Sequence, residues 1–131
     1  MKVLVLDDSR QEQFRDRLSS VGMNDVDYVA TSSECIIMLS ANQYDLIFLD
    51  YDLTYMEIDK PSSENTGAVV ARWLSEHRMN INHKARIVIH SVDPYGSQYM
   101  KEFLPQAIMV PGVWREDQFQ GFIKRLNRDI P

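Results

Sequence analysis

Polar side chains follow three apolar runs of this sequence, each at the point where the run ends. Asp7 and Asp8 follow residues 2–6, Asp50 follows residues 46–49, and His90 and Ser91 follow residues 86–89. Open α/β sheets bind their ligands at the carboxyl ends of the strands, so these side chains are expected to share one site. Carboxylates this close repel each other unless a cation or a proton lies among them. The sequence therefore predicts a divalent metal site.

The elements that must position these residues alternate between strand and helix patterns. Short apolar runs predict strands at residues 2–6, 26–30, 44–50, 85–90 and 107–110. Apolar residues at helical spacing predict helices at 11–21 and 31–42, after Thr66, at 99–104, and at 116–128. Thr31 and Glu34 form a predicted capping box, and residues 93–96 have turn chemistry. Right-handed crossovers then predict one α/β domain over residues 1–131, with a parallel sheet covered by helices on both faces.

Composition narrows the classes of function. The 131 residues carry a net charge of -5 without a Lys/Arg run, which argues against non-specific binding to nucleic acid. No stretch approaches the ~20 apolar residues of a membrane span, so no membrane contact is expected and the cytoplasm is the expected compartment. Cys35 is the one cysteine, which excludes an internal disulfide, and its apolar helical setting predicts a buried thiol.

Residues 51–66 form a polar connection of unusual length. A loop between a strand and the following helix usually has two to six residues. The longer connection here is typical either of a lid over a binding site or of a mobile segment, and its aromatic residues Tyr51 and Tyr55 could equally form a partner surface.

In this chain order, the acidic pair, Asp50 and Ser91 resemble the receiver domain of two-component response regulators, over essentially the whole chain. The resemblance implies a flavodoxin-like (βα)5 fold with five parallel strands in the order 2-1-3-4-5. It also implies that Asp7, Asp8, Asp50 and Asp52 bind Mg²⁺ or Mn²⁺. In such a site Asp50 is the phosphorylated nucleophile and Ser91 contacts the phosphoryl group.

Two positions depart from the pattern of ordinary receivers. Val110-Pro111 stands where receivers have Lys-Pro, and Val92 stands where they have a very small residue. Without the lysine, a phosphoryl group on Asp50 loses a charge-assisted contact. The ordinary cycle of phosphorylation is therefore in question.

Several motifs resemble a receiver subgroup described as cyclic-phosphate-processing. They are Asp7-Asp8-Ser9-Arg10, Leu49-Asp50-Tyr51-Asp52-Leu53, Thr66-Gly67, and His90-Ser91 followed by Gly96 and Met100. That resemblance implies activity on cyclic-phosphate nucleotides or RNA ends. In such a site Arg10 offers a planar fork for phosphate oxygens, and His90 is able to act as a general acid or base. The alternatives without a function are a solvated Arg10 and a His90 that only makes hydrogen bonds at the end of a strand.

Three functions follow from these observations. The leading hypothesis is a stand-alone receiver-like protein with a metal-dependent phosphate-processing site, such as that of a phosphohydrolase. The second is a single-domain response regulator that accepts phosphate on Asp50 from a histidine kinase. The third is a pseudo-receiver that only binds a protein partner or forms a homodimer through the last two helices. Residues 50–54 also fit the Asp-x-Asp-x-Thr motif of haloacid-dehalogenase phosphatases, but that family has this motif on its first strand and a late acidic pair.

Overall fold

The computed structural model describes residues 1–53, 65–111 and 115–129. Its strands are β1 (Val3–Leu6), β2 (Val26–Val29), β3 (Leu46–Leu49), β4 (Arg86–Ser91) and β5 (Ile108–Pro111). Its helices are α1 (Gln11–Ser20), α2 (Ser32–Ala41), α3 (Gly67–Glu76), α4 (Pro94–Phe103) and α5 (Glu116–Asp129). The strands form one parallel sheet in the order β2-β1-β3-β4-β5, which confirms the predicted architecture.

The continuous apolar runs of β1 and β3 arise because both faces of the sheet are covered. Leu4 and Leu6 point into a core shared with α2, α3 and α4, whereas Val3 and Val5 point into a core shared with α1 and α5. Every residue of β1 is fully buried. Strands that are buried on both faces lose the alternation of polar and apolar residues, as the sequence of β1 shows.

Local signals in the sequence account for two of the helix starts. The Thr31 hydroxyl accepts a hydrogen bond from the Glu34 amide at 3.1 Å, which confirms Thr31 as the N-cap of α2. The Glu34 carboxylate reaches back, as predicted, but it accepts from the Thr31 hydroxyl at 3.1 Å. Residues 93–96 were predicted as a turn, but they are the N-cap and first turn of α4. The Asp93 carboxylate accepts hydrogen bonds from the Tyr95 and Gly96 amides, and Pro94 occupies the first helical turn, where its missing N–H costs nothing.

Cys35 lies in α2 and is fully buried in the core, as predicted. Burial raises the pKa of its thiol, with a smaller contribution from the charge of Glu34. No helix within the described ranges is both long and apolar enough to cross a membrane.

The ends of the long polar connection are anchored, whereas residues 54–64 lie outside the described residues. The predicted lid therefore stays a prediction. Asp52 and Thr66 form an isolated antiparallel bridge, which brings the two ends together. The Asn65 side chain donates to the Leu53 carbonyl at 2.8 Å and accepts from the Ser32 amide at 3.0 Å. Asn65 thereby ties both ends of this connection to the start of α2.

Candidate functional site

The carboxyl ends of β1, β3 and β4 bring Asp7, Asp50 and His90 together. One ligand atom from each of these three buried residues lies within 4.8 Å of the others. In the parallel register Leu6 pairs with Leu49, and these are the residues that directly precede the two aspartates. The sheet topology therefore converts a separation of 43 residues, from 7 to 50, into direct proximity.

Asp7 is fully buried, and each of its carboxylate oxygens accepts hydrogen bonds. Oδ1 accepts from the backbone amides of Ser9 at 2.9 Å and Arg10 at 2.8 Å. Oδ2 lies 3.2 Å from Arg10 Nε and 3.0 Å from His90 Nε2. Burial by itself raises the pKa of Asp7, but the contacts with His90, Ser9 and Arg10 outweigh burial and leave the pKa below its ordinary value. Asp7 is therefore a stable carboxylate.

Asp50 is also buried, but fewer groups compensate its charge. Its Oδ2 lies 3.3 Å from Arg10 Nη2. Burial is the largest influence, and the negative charges of Asp7 and Asp8 act in the same direction, so the pKa of Asp50 is raised to about 7. Arg10 only partly opposes this shift. An additional cation at this edge would therefore stabilise the ionised form of Asp50.

Arg10 bridges the two aspartates through its guanidinium group. Its side chain is 18% exposed, so it is neither a freely solvated helix residue nor a fully enclosed one. The sequence predicted this fork as a ligand for phosphate oxygens. The structure places the fork on the carboxylates of Asp7 and Asp50.

His90 lies behind Asp7 and is fully buried. A carboxylate can only accept hydrogen bonds, so His90 Nε2 carries the proton that is donated to Asp7 Oδ2. The imidazole packs edge-on against Phe14, with ring centroids 4.6 Å apart, and Nδ1 has no hydrogen-bond partner among the described residues. Burial lowers the pKa of His90, and Asp7 opposes that shift only in part. This geometry is that of a neutral histidine that positions Asp7, and direct proton transfer by His90 stays a prediction.

The other predicted site residues lie around this cluster. Asp8 is half-buried and contributes negative charge at Asp50, whereas Asp52 is exposed and belongs to the bridge with Thr66. Ser91 is 8% exposed, and its hydroxyl accepts a hydrogen bond from the Asp93 amide at 3.1 Å. Asp8 and Asp52 are not members of the close cluster formed by Asp7, Asp50 and His90.

Two glycines allow close packing behind the site, and the sequence did not reveal this role. A Cβ at Gly67 would lie 1.9 Å from the backbone carbonyl oxygen of Asp50, and the Gly67 amide donates to the Tyr51 carbonyl at 2.9 Å. A Cβ at Gly96 would lie 2.3 Å from the ring of Tyr51. The positions of Asp50 and Tyr51 therefore depend on glycine, which has no side chain, at positions 67 and 96. A glycine directly after the helix cap Thr66 was the available signal.

The chemistry of this site fits a hard divalent cation. Mg²⁺ prefers carboxylate and carbonyl oxygens together with water. Asp7 and Asp50 provide carboxylates at a sheet edge, and the half-buried Asp8 is adjacent in the chain. Burial first, and then the charges of Asp7 and Asp8, raise the pKa of Asp50, and Arg10 opposes this shift only in part. These residues could hold such an ion.

The doubly wound sheet, with its acidic carboxyl edge, defines a receiver domain. A sequence model of the cyclic-phosphate processing receiver domain matches residues 2–106, and the chain belongs to that family. The matched region contains β1 to α4 and ends before β5, where Val110 lies. Comparison with curated protein sequences gave no match.

Solved structures of receiver domains share this fold at low sequence identity. A CheY-like receiver domain from Methanospirillum hungatei JF-1 has a TM-score of 0.74 and 14% identity, covering 98% of this chain and 94% of that one. The receiver domain of a Syntrophus aciditrophicus histidine kinase has a TM-score of 0.74 and 19% identity, with 98% and 91% covered. A Burkholderia pseudomallei response regulator, solved with a phosphorylated aspartate and calcium, has a TM-score of 0.67 and 14% identity, with 99% and 75% covered.

Proposed function

We propose that the acidic edge binds Mg²⁺ or Mn²⁺ and uses it to bind or process a phosphate group. The main support for this proposal is the close approach of two buried carboxylates, Asp7 and Asp50. The pKa of Asp50 is raised to about 7 in this setting. The family to which the chain belongs supports a cyclic phosphate as the substrate class, on a nucleotide or an RNA end.

The proposed roles divide between metal binding, contact with phosphate and positioning. Asp7, Asp8, Asp50 and the carbonyl or side chain of Asp52 are the proposed metal ligands. A bound divalent ion supplies charge neutralisation to a phosphoryl group. Ser91 offers a hydroxyl at the same edge, and Asp50 is the proposed nucleophile or general base.

A Mn²⁺ titration followed by electron paramagnetic resonance tests the metal site directly, because bound Mn²⁺ loses the sharp signal of the free ion. We expect Asp50→Asn to weaken binding about tenfold or more, since it removes one carboxylate ligand. Asp117→Asn is the matched control, because Asp117 is exposed and pairs with Arg115 away from the site. Equal affinity in Asp50→Asn and Asp117→Asn would remove the metal site from consideration.

Turnover of 2′,3′-cyclic mononucleotides with Mg²⁺ or Mn²⁺ tests the substrate class. We expect ring opening by the wild-type protein and its loss in Asp50→Asn. Metal binding without turnover of any cyclic phosphate would leave the metal site standing and reject the cyclic-phosphate substrate.

Phosphorylation of Asp50 by a histidine kinase is the second candidate. Asp50 at the end of β3 and Ser91 at the end of β4 support it, and the Burkholderia pseudomallei relative was solved with a phosphorylated aspartate. Val110 opposes it, because this half-buried side chain provides no cation for a phosphoryl group. Acetyl phosphate with Mg²⁺, followed by intact-mass measurement, tests whether Asp50 accepts phosphate, and an adduct absent from Asp50→Asn would establish that step.

A role limited to protein binding is the third candidate, and the surface around α4 supports it. Exposed apolar side chains occur there at Val92, Tyr95, Tyr99 and Met109. A second copy of the chain is one partner to test, because the last two helices were predicted to form a dimer. Sedimentation of the wild type and of Tyr95→Ser at increasing concentration would detect such a dimer.

A further inference from the structure

Arg10 occupies the position in the site that a metal ion would compete for. Its Nε lies 3.2 Å from Asp7 Oδ2, and its Nη2 lies 3.3 Å from Asp50 Oδ2. The same two carboxylates belong to the cluster that is suited to a divalent ion. One guanidinium thus places a positive charge between two carboxylates that would otherwise repel each other.

The backbone holds Arg10 firmly, whereas its side chain retains access to solvent. The Arg10 amide donates to Asp7 Oδ1 at 2.8 Å, and the Arg10 carbonyl accepts from the Phe14 amide in the first turn of α1. The side chain is 18% exposed, so the guanidinium contacts solvent as well as the carboxylates. A long side chain can change its rotamer while its backbone stays in place.

We propose that Arg10 is an internal counter-cation that a divalent metal displaces from Asp7 and Asp50, freeing the guanidinium to bind phosphate oxygens. This inference rests on the proposed metal site. A divalent ion and a guanidinium cannot both occupy the space between the two Oδ2 atoms, and their like charges repel. A displaced guanidinium keeps its planar fork, which matches the oxygens of a phosphate bidentately.

The consequence is that Arg10 opposes metal binding and favours phosphate binding. Removing its charge should therefore tighten one interaction and weaken the other. A residue that only maintained the fold would change both interactions in the same direction. The two opposite signs form the specific signature of this proposal.

The test compares Arg10→Gln with the wild type by Mn²⁺ titration and by titration of inorganic phosphate at saturating Mg²⁺. Arg72→Gln is the matched control, because it removes the same charge from an exposed pair with Glu76 on α3. We expect Arg10→Gln to bind Mn²⁺ about tenfold more tightly, since a cation next to both carboxylates has been removed. We expect phosphate to bind about tenfold more weakly, and Arg72→Gln to match the wild type.

Thermal unfolding supplies a readout that does not depend on turnover. Without Arg10, Asp7 and Asp50 repel each other, so Arg10→Gln should unfold at a lower temperature without metal and gain more from added Mg²⁺ than the wild type. Arg10→Lys keeps the charge and loses the fork, so its Mn²⁺ affinity should stay closer to that of the wild type. This variant also covers the case in which Arg10→Gln fails to fold, because weak phosphate binding in folded Arg10→Lys still tests the fork.

The outcomes separate this inference from the proposed function. Equal or weaker Mn²⁺ binding in Arg10→Gln, with normal binding in the wild type, would overturn the counter-cation role and leave the metal site standing. Tighter Mn²⁺ binding with unchanged phosphate affinity would overturn the phosphate role of the freed guanidinium. Absence of metal binding in the wild type and in every variant would overturn both the inference and the proposed function.

Discussion

The β1–α1 corner and the end of β3 each hold one buried aspartate, but their surroundings affect the carboxylate in opposite ways. Around Asp7, two backbone amides, His90 and Arg10 supply donors, and the pKa lies below its ordinary value. Around Asp50, burial and the neighbouring acids prevail over Arg10, and the pKa is raised to about 7.

The difference separates an anchor from a reactive group. Asp7 fixes the start of α1 and holds His90, so its main contribution is to the fold of this corner. Burial and the neighbouring acids disfavour the ionised form of Asp50, and a perturbed carboxyl of this kind suits a group that interacts with ligands. Carboxylates at one sheet edge can therefore have different tasks although both are buried and only one residue type is involved.

Asp7→Ala should produce the largest loss of stability. The substitution removes the acceptor for two amides, leaves the buried His90 without its carboxylate partner, and leaves Arg10 paired with Asp50 alone. We expect the free energy of unfolding to fall by about 4 kcal/mol, the usual cost of breaking a buried charge pair. Urea denaturation at pH 7.5 in the absence of divalent ions measures this change. A loss as small as that of the exposed control Asp117→Asn would contradict the role of Asp7 as an anchor.

Gly67→Ala should cause the second-largest loss of stability, because it disturbs the backbone at Asp50. Its Cβ would lie 1.9 Å from the Asp50 carbonyl oxygen, so the backbone must shift. We expect a loss of about 3 kcal/mol together with weaker Mn²⁺ binding. Gly121→Ala in α5 is the control, because among the described residues its Cβ meets only the flexible side chain of Arg125, at 3.5 Å. That control should gain roughly 0.5–1 kcal/mol from reduced backbone entropy, and a similar gain in Gly67→Ala would contradict the packing role.

Asp50→Asn should stabilise the metal-free protein in a pH-dependent way. The pKa of Asp50 is raised to about 7 in the fold, so the native state holds a proton that the unfolded chain releases near pH 4. The contribution of Asp50 to the free energy of unfolding is greatest below about pH 4 and is lost as the pH rises to about 7. Relative to the wild type, Asp50→Asn should therefore gain about 3 kcal/mol more at pH 8 than at pH 4.5. Urea denaturation at both pH values provides the measurement, and a gain that is equal at both would contradict the raised pKa.

His90→Leu should have the smallest of these effects and should act through Asp7. It removes one hydrogen bond to a charged carboxylate, which is worth about 1.5 kcal/mol. His90→Gln retains an N–H donor and should recover part of the loss in urea denaturation. If His90 instead transfers protons, both variants should abolish turnover of the cyclic phosphate while their stability stays close to that of the wild type.

The sequence predicted the fold and the meeting of Asp7 with Asp50 because both depend on patterns along the chain. Buried strands produce apolar runs, and the parallel topology places their carboxyl ends together. The direction of Arg10 was not predictable, because a long side chain chooses its rotamer from the charges around it in the folded protein. Asn65 was missed for a related reason, since its partners Ser32 and Leu53 become neighbours only in the tertiary structure.

The fully buried Cys35 can report the opening of the core around α2. The sequence contains no other thiol, so a thiol-selective reagent can react with the chain's cysteine only when α2 separates from the core. The raised thiol pKa further suppresses reaction in the closed state. The rate of mass gain with iodoacetamide thus reports the free energy of that opening under native conditions. A cation or phosphate that binds the native acidic edge should lower the rate of Cys35 alkylation in proportion to its occupancy. The measurement needs no attached label.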